Sequence, residues 1–382
     1  MAGKKILVLG GGFGGVQAAI EARTALDASH DVTIIDRDRI SHLCGMNPLL
    51  IVGERNTNKA GRSLGRLANR GISFMEANIE LIDTNARNVT TSTGIIDYDY
   101  LVIALGAQYD WDAVPGARNA YSFYDFGYAC RLRRRLSRLK RGKIVFAAST
   151  PPYKCPPAPL ETAMIVNWWA RKKGVRKDID ISVYIPEPAP LGVAGKQASM
   201  RVRSDLETRG IQLVTSAGVI EVSDDARQAS FADGSSATAD VIATIPVHKI
   251  PDVVAASGIA DGKAWVTVDH KTLETSTSNI FAVGDVNVVP SGEFAIPKAG
   301  VFAAGQGVKV GEVIASRVNE SHEPEPYDGA GFCFMAYSGG RSATITGEFL
   351  AEGGPQSFLT EPTVSGMKRK ERFEIDWRNF KT

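Results

Sequence analysis

One cysteine, Cys155, stands in a segment whose composition suggests chemistry. The segment reads KIVFAASTPPYKCPPAPLETA, which is an apolar strand pattern, a loop rich in proline and then a helix pattern. The prolines at 151, 152, 156, 157 and 159 remove backbone N–H donors and fix φ, so this loop is rigid and unsuited to binding phosphate. A thiol near the start of a helix tends towards the reactive thiolate. We therefore expect Cys155 to act as a redox or nucleophilic group.

Two further residues bear on this thiol. Glu161 follows six residues later and could either shuttle a proton or cap the helix; the sequence leaves both open. The chain has four cysteines in 382 residues, too few for a disulfide scaffold, so any pairing would be chemical. Cys333 is a candidate partner, although spacing cannot show that the fold joins the two, and both could be unrelated buried residues.

A glycine pattern near the N-terminus indicates a dinucleotide site. Gly10, Gly12 and Gly15 form G-x-G-x-x-G between a strand pattern and a helix pattern, and Asp36 ends the next strand. Gly10 permits a tight turn, Gly12 lets the backbone approach a pyrophosphate, and Gly15 lets helix and strand pack closely. The helix N-terminus stabilises the phosphate charge, and the acid accepts hydrogen bonds from a ribose. The alternative is a turn that serves packing only.

The elements that must position these residues follow an α/β pattern. Strand and helix signals alternate from the N-terminus and restart near Lys143, which predicts two Rossmann-like dinucleotide-binding domains, the second inserted in the first. We assign 1–115 and 262–325 to the first domain and 116–261 to the second. Residues 326–382 lack this rhythm and are predicted to form a C-terminal interface segment.

Composition limits the partners. With 44% hydrophobic and 23% charged residues the chain has an ordinary globular composition, and a net charge of +2 does not indicate a nucleic-acid partner. No apolar run approaches the roughly 20 residues that span a bilayer, and the start of the chain lacks a signal-peptide pattern. We predict a cytoplasmic protein, with no metal site, that could also lie at the membrane surface. A homo-oligomer is compatible with the sequence.

Two segments could contact a membrane. Residues 131–143 contain eight basic and no acidic residues, with leucines on one helical face that could meet lipid or pack inward. Near the C-terminus Phe373, Trp377 and Phe380 would form an interfacial face if the segment were helical. Because Phe373, Ile375 and Trp377 also alternate as a strand would, periodicity does not decide.

Five segments together resemble a known family: NPLLIVGERN, YKCPPAPLE, WVTVDHKTLETSTSNIFAVGD, IPKAGVFAAGQG and GFCFMAYSGG. They are similar to the sulfide:quinone oxidoreductases and to the flavoprotein subunit of flavocytochrome c sulfide dehydrogenase, from about residue 4 to residue 350. LVIALGAQYD and NIFAVGDVN resemble two short sequences that mark flavoproteins with two dinucleotide domains, which implies FAD as cofactor. The residues expected to contact FAD are Gly10, Gly12, Phe13, Gly14, Gly15, Asp36, Arg37, Gly106, Gly284, Asp285 and Lys298.

The resemblance also implies a reaction. In that family the equivalents of Cys155 and Cys333 form a disulfide over the flavin; sulfide opens it, one sulfur carries a persulfide, and the other thiolate passes electrons to the flavin. We expect the persulfide on Cys333 and the thiolate on Cys155, with a quinone as acceptor. Glu161 and Lys298 complete the catalytic set, Lys298 as the cation near the flavin pyrimidine.

Several alternatives remain. The acceptor could be a cytochrome, because Tyr124 stands where many quinone-linked members have a third cysteine, and a histidine often found after PEP is absent. The donor could be another thiol or persulfide, or the chain could be a redox sensor without turnover. An NADH dehydrogenase would need the second glycine fingerprint, which the prolines replace. Cys44 stands where coenzyme A disulfide reductases have their catalytic cysteine, whereas Cys130 is predicted to be a buried helix residue.

Overall fold

The computed structural model describes residues 3–352 and 354–381. The helices of these residues are α1 (Phe13–Ala25), α2 (Asn47–Ile51), α3 (Phe126–Arg138), α4 (Ala158–Lys172), α5 (Gly195–Glu207), α6 (Asp252–Ala256), α7 (Gly300–Val318) and α8 (Val364–Arg378). The strands are β1 (Lys5–Leu9), β2 (Asp31–Asp36), β3 (Ile40–His42), β4 (Gly61–Ser63), β5 (Ser73–Glu76), β6 (Ile79–Asp83), β7 (Asn88–Thr91), β8 (Gly94–Asp97), β9 (Tyr100–Ile103), β10 (Gln108–Asp110), β11 (Gly142–Ala148), β12 (Ile179–Tyr184), β13 (Ile211–Val214), β14 (Val219–Val222), β15 (Gln228–Phe231), β16 (Ser236–Thr238), β17 (Val241–Ile245), β18 (Val247–Lys249), β19 (Val266–Thr267), β20 (Ile280–Ala282), β21 (Asn287–Val288), β22 (Pro290–Ser291), β23 (Phe294–Ala295), β24 (Ala330–Ser338), β25 (Arg341–Glu348) and β26 (Gln356–Leu359).

The first sheet carries the glycine pattern. Its order is β20-β9-β1-β2-β5, and every pair is parallel. The apolar run of β1 is buried from Ile6 to Leu9, as expected for a strand covered on both faces. Helices α1 and α7 pack closely, because a Cβ at Gly307 would lie only 2.1 Å from the Gly14 carbonyl oxygen. The small residues of α7 therefore allow the two backbones to approach.

The second sheet begins where the alternating pattern restarts. Its order is β13-β12-β11-β17, again all parallel, with β11 central. Helix α4 packs against it and is buried along most of its length. The two parallel sheets confirm the predicted α/β class with two Rossmann-like units, whereas the exact domain boundaries stay a prediction.

The C-terminal residues form an antiparallel sheet and a helix. Strands β24, β25 and β26 pair in that order, α8 packs on β25, and α4 packs on β24. Since α4 follows the Cys155 loop and β24 contains Cys333, this α4–β24 contact brings the two cysteines into one region. The pairing is therefore a consequence of non-local packing.

Most apolar residues of the two candidate membrane segments are buried, although Phe373 is half-buried and Ile375 is exposed. Leu132, Leu136 and Leu139 are buried, so the leucines pack against the protein core. The C-terminal segment is helical, and Trp377 and Phe380 are likewise buried. Among the described residues no helix has the length and apolar character needed to cross a bilayer.

Candidate active site

The Cys155 loop is held by hydrogen bonds from both domains. Cys155 has φ +53°, a left-handed conformation that non-glycine residues adopt rarely. Its backbone N–H donates to the Lys298 carbonyl oxygen at 2.7 Å. The Tyr124 hydroxyl donates to the carbonyl oxygens of Lys154 at 2.7 Å and Cys155 at 3.3 Å. The predicted rigid loop is thus fixed at the position of the thiol.

Cys155 and Cys333 are two free, half-buried thiols, which the packing of α4 on β24 brings into one region. Hydrogen bonding between them, together with burial, raises the pKa of Cys155 well above its usual value. The same hydrogen bonding lowers the pKa of Cys333. The raised pKa of Cys155 is opposite to the thiolate tendency that its position near a helix start predicted. Two thiols in this relationship are suited to forming a disulfide and exchanging it with an incoming thiolate.

Glu161 lies in the first turn of α4, with its side chain buried and turned away from solvent. Its Oε1 accepts a hydrogen bond from the Ala336 backbone N–H at 3.0 Å. Burial raises the pKa of Glu161 to about 7. A carboxyl group with this pKa is well matched to proton transfer near neutral pH. Of the two roles left open by the sequence, the burial and the contact with β24 favour the proton shuttle over the helix cap.

Two cavities meet the thiol pair from different sides. One is lined by Tyr124, Lys154, Cys155 and Glu161, and also by Cys44. The other is apolar and reaches Cys333; it is lined by Pro156, Pro157, Leu191, Val193, Ala194, Pro297, Ala299, Phe302, Ile345, Gly347, Phe349 and Ser357 as well. Cys155 and Cys333 therefore face different environments. Cys44 belongs to the site region, whereas Cys130 is half-buried on α3 and packs against the core of the second domain.

The glycine turn has the geometry expected for a dinucleotide. Gly10 has φ +104°, and a Cβ at Gly15 would lie 2.0 Å from the Gly10 carbonyl oxygen, so both positions require glycine. A Cβ at Gly12, in contrast, would meet none of the described protein atoms within 4 Å. Asp36 accepts a 2.7 Å hydrogen bond from the Gly11 N–H, and its burial raises its pKa. The open space at Gly12 fits a pyrophosphate.

Asp285 is a second feature, besides the glycine turn, that fits a bound dinucleotide. Its Oδ1 is buried and has no hydrogen-bond partner among the described residues, which is costly unless a ligand hydroxyl donates to it. The turn before it is fixed because the Gly284 N–H donates to Gln306 Oε1 at 2.6 Å. Gly106 also has positive φ, +66°, and follows β9. The glycines and acids thus cluster at the carboxyl ends of β1, β2, β9 and β20, where such sheets bind dinucleotides. These residues fit FAD.

Lys298 connects the cofactor region to the thiol loop. Its Nζ donates to the carbonyl oxygens of Asp285 at 2.7 Å and Asn287 at 2.9 Å, and it lies 3.5 Å from the centroid of the Trp265 ring. Burial lowers the pKa of Lys298 to about 8. The residue is therefore half-buried and held by the Asp285 turn rather than exposed at a helix start, and its place beside the flavin stays a prediction.

The C-terminal helix packs on the phosphate-binding turn. Phe13 lies 6.0 Å from Trp377, centroid to centroid. Arg62 is buried with its guanidinium 4.3 Å from the Trp377 ring, and it donates to the carbonyl oxygens of Trp377 at 2.9 Å and Gly12 at 3.2 Å. Arg37 is exposed and pairs with Asp38, so no contact with the described protein directs it into the site.

Sequence reasoning missed several residues that the fold adds to this region. Gln306 lay in the small-residue helix pattern, and Lys154 was noted only as part of the loop. Lys370 and Glu374 belong to the charged C-terminal segment, yet both are buried beside the thiol site. Their spacing of four within a helix pattern was the available signal.

Fold and site define a flavoprotein with two Rossmann-like units, of which the first carries the dinucleotide turn. The chain belongs to the pyridine nucleotide-disulphide oxidoreductase family, whose model matches residues 4–145 and 160–307. Both Cys155, in the interval between the matched ranges, and Cys333 lie outside the match.

Two relatives that match most of this chain are named as sulfide oxidoreductases. The mitochondrial sulfide:quinone oxidoreductase of Mus musculus is 24% identical over 90% of this chain and 78% of its own length. The sulfide-quinone reductase of Aquifex aeolicus is 27% identical over 85% of this chain and 78% of its own. The solved structure of the Aquifex aeolicus sulfide:quinone oxidoreductase superposes with a TM-score of 0.87, covering 99% of this chain and 92% of that chain at 23% identity. These comparisons confirm the resemblance found in the sequence and the fold class.

Proposed function

We propose that this chain is an FAD-dependent sulfide:quinone oxidoreductase that works through a Cys155–Cys333 disulfide. The observation that carries the proposal is the packing of α4 on β24, which brings the Cys155 loop to the strand of Cys333, so that Pro156, Pro157 and Cys333 line one cavity. The names of the relatives add sulfide as donor and quinone as acceptor. The proline-rich loop supports the absence of a nicotinamide site, because it replaces the phosphate cradle of the second domain.

The proposed reaction begins with hydrosulfide at Cys333. The apolar cavity leads to this sulfur, so hydrosulfide attacks Cys333 Sγ; a new S–S bond forms there and the Cys155–Cys333 bond breaks. Cys155 leaves as the thiolate with the electron pair. Glu161, whose pKa is about 7, takes the proton of the added sulfur. Hydrosulfide attacks Cys333 because the apolar cavity reaches this sulfur, whereas the lowered pKa of Cys333 belongs to the dithiol and not to the disulfide that reacts.

The cofactor would be held by the glycine turn, Asp36, Asp285 and Lys298. FAD bound there would supply a two-electron carrier between the Cys155 thiolate and the quinone. As the thiolate gives up its electron pair, Cys155 Sγ bonds to the added sulfur, whose proton Glu161 has taken. That sulfur is thereby oxidised by two electrons and bridges Cys155 and Cys333 as sulfane sulfur, while the quinone gains two electrons and two protons. The Lys298 cation would stabilise negative charge gained by the cofactor.

An anaerobic sulfide titration tests the proposal. Sulfide should bleach the absorbance of bound FAD in the wild type, whereas Cys155→Ser and Cys333→Ser should not bleach, because neither can form the disulfide. Cys130→Ser, a half-buried thiol outside the site, is the control and should behave as the wild type. Bleaching in both site variants, or wild-type bleaching by NADH instead of sulfide, would contradict the mechanism.

The acceptor needs a separate assay. We expect the sulfide-reduced protein to reduce a short-chain quinone faster than cytochrome c. Faster cytochrome reduction would support the flavocytochrome alternative, and no reduction of either would support a redox sensor.

A further inference from the structure

Two charged residues of the C-terminal helix are buried next to the thiol site. Lys370 and Glu374 are each only 5% exposed, which is unusual for these residue types. They lie one helical turn apart on α8, and their side chains are 3.8 Å apart. A buried charge pair of this kind is costly unless its members have further partners.

Both residues have such partners. Lys370 Nζ donates to the Gly45 carbonyl oxygen at 3.0 Å, next to Cys44. Glu374 Oε2 accepts from Arg55 Nε at 2.7 Å. Arg55 also lies 3.5 Å from Glu371, whose side chain is half exposed. Glu371 therefore connects the buried charges of Lys370 and Glu374 to solvent. The pair is thus held in one arrangement from both sides.

The charges of Lys370 and Glu374 act on the ionisable groups of the thiol site with opposite sign. Lys370 reaches this site, because Gly45, whose carbonyl oxygen it contacts, lines one cavity together with Cys155 and Glu161. Its positive charge lowers the pKa of Glu161 and of Cys333, whereas the negative charge of Glu374 raises that of Glu161. Among the described residues, the other ionisable groups that face this region are Lys154 and Cys155 on the thiol loop, Tyr124, Cys44 before α2 and Arg55. Glu161 itself raises the pKa of Cys333, so protonation of the two is linked.

We propose that Lys370 and Glu374 are positioning residues that set the charge state of the thiol site, Lys370 stabilising negative charge on Glu161 and Cys333 and Glu374 opposing it. The inference rests on the proposed function for its catalytic meaning, but the charge effect itself is independent of sulfide turnover. It gives the C-terminal helix a role in the chemistry in addition to its packing.

The test measures the pH dependence of Cys333 alkylation in the FAD-loaded protein. The protein is reduced with a phosphine, treated with iodoacetamide from pH 5 to 10, and the Cys333 peptide is quantified by mass spectrometry. Lys370→Met should shift the alkylation midpoint upward by roughly 1 pH unit, and Glu374→Gln should shift it downward. Lys370→Arg keeps the cation and should restore the wild-type midpoint. Lys368→Met, an exposed lysine of the same helix, is the matched control and should have no effect.

Shifts of the Cys333 alkylation midpoint in opposite directions distinguish an effect of charge from an effect of altered structure. Loosening of α8 would move both variants in the same direction, and that result, or an unchanged midpoint in Lys370→Met, overturns the proposal. If Lys370→Met does not fold, Glu374→Gln still decides, since an upward or absent shift contradicts the assigned sign. Because alkylation does not require sulfide oxidation, a failed sulfide titration with shifted midpoints would reject the proposed function and keep this inference.

Discussion

The backbone N–H of Cys155 donates a hydrogen bond to the carbonyl oxygen of Lys298 at 2.7 Å. Cys155 follows the first strand of the inserted domain, and Lys298 precedes α7 of the first domain. One hydrogen bond therefore couples the thiol loop to the residue whose ammonium group contacts the Asp285 turn. The distance between the reactive sulfur and the cofactor site is thus set by the backbone.

Lys298→Met should lower the midpoint potential of bound FAD. The variant keeps the backbone contact to Cys155 but removes a half-buried cation, so the reduced, more negative cofactor is stabilised less. A loss of about 1.4 kcal/mol corresponds to roughly 30 mV for a two-electron couple. The potential can be measured by equilibration with a reference dye. Lys271→Met, an exposed lysine of the same domain, should leave it unchanged, and an unchanged potential in Lys298→Met would remove this role.

Glu161→Gln should change how stability depends on pH. The folded pKa of about 7 exceeds the unfolded value of 4.5, so the folded protein binds more protons between these pH values. The free energy of unfolding of the wild type therefore falls as pH rises from 4.5 to 7, by on the order of 3 kcal/mol from this group, and is level above that. Urea unfolding at pH 5 and pH 8 should show a smaller difference in Glu161→Gln. An equal difference in both proteins would argue against a raised pKa.

Gly12→Ala and Gly15→Ala should separate cofactor binding from folding. A Cβ at position 12 meets no described protein atom within 4 Å, so thermal stability of the apoprotein should be retained while FAD affinity falls about tenfold or more. A Cβ at position 15 would lie 2.0 Å from a backbone oxygen, so Gly15→Ala should lower the melting temperature itself. FAD titration and thermal melts distinguish the two. Equal FAD binding by Gly12→Ala and the wild type would exclude a pyrophosphate at this turn.

Tyr124→Phe should loosen the Cys155 loop. The lost hydroxyl leaves the carbonyl oxygens of Lys154 and Cys155 without this donor, which costs about 1–3 kcal/mol at a buried site. Urea unfolding gives the stability change, and Cys155 alkylation reports the loop. The Tyr128 hydroxyl donates to the Arg118 carbonyl oxygen at an exposed position, so Tyr128→Phe should have a much smaller effect. Similar effects of both variants would mean that Tyr124 does not brace the loop.

Trp377→Ala should destabilise the protein by about 3–5 kcal/mol, because the indole is 1% exposed and covers Arg62. Ile375→Ala on the exposed face of the same helix should cost far less. Denaturant unfolding measures both. If the two variants were equally stable, the helix would not be docked on the dinucleotide turn in solution.

Local signals predicted the dinucleotide domains. The order of strand, glycine turn, helix and Asp36 has a direct stereochemical meaning, and the apolar run of β1 could only be a covered strand. The prolines around Cys155 predicted a rigid loop because they fix φ and remove backbone N–H donors. Each of these features lies within one short stretch of chain.

The remainder of the site depends on contacts between distant segments. The approach of Cys333 to Cys155 results from β24 packing on α4, which no spacing encodes; the sequence suggested it only through family resemblance. Lys370 and Glu374 carry charges, so patterning places them on the surface, and their burial becomes understandable only once Arg55 and Gly45 are seen beside them. The aromatic residues in and after α8 suggested lipid contact, because the sequence alone does not show which residues cover them. In the structure Trp377 and Phe380 pack on Arg62.

The position of α8 in the chain has a consequence for biosynthesis. It follows both cysteines, and it supplies the buried neighbours of the thiol pair and the cover of the dinucleotide turn. A nascent chain in which Cys155 and Cys333 have already emerged still lacks Lys370, Glu374 and Trp377 until the ribosome has released them. The two cysteines can therefore be enclosed by these neighbours only after α8 has been synthesised.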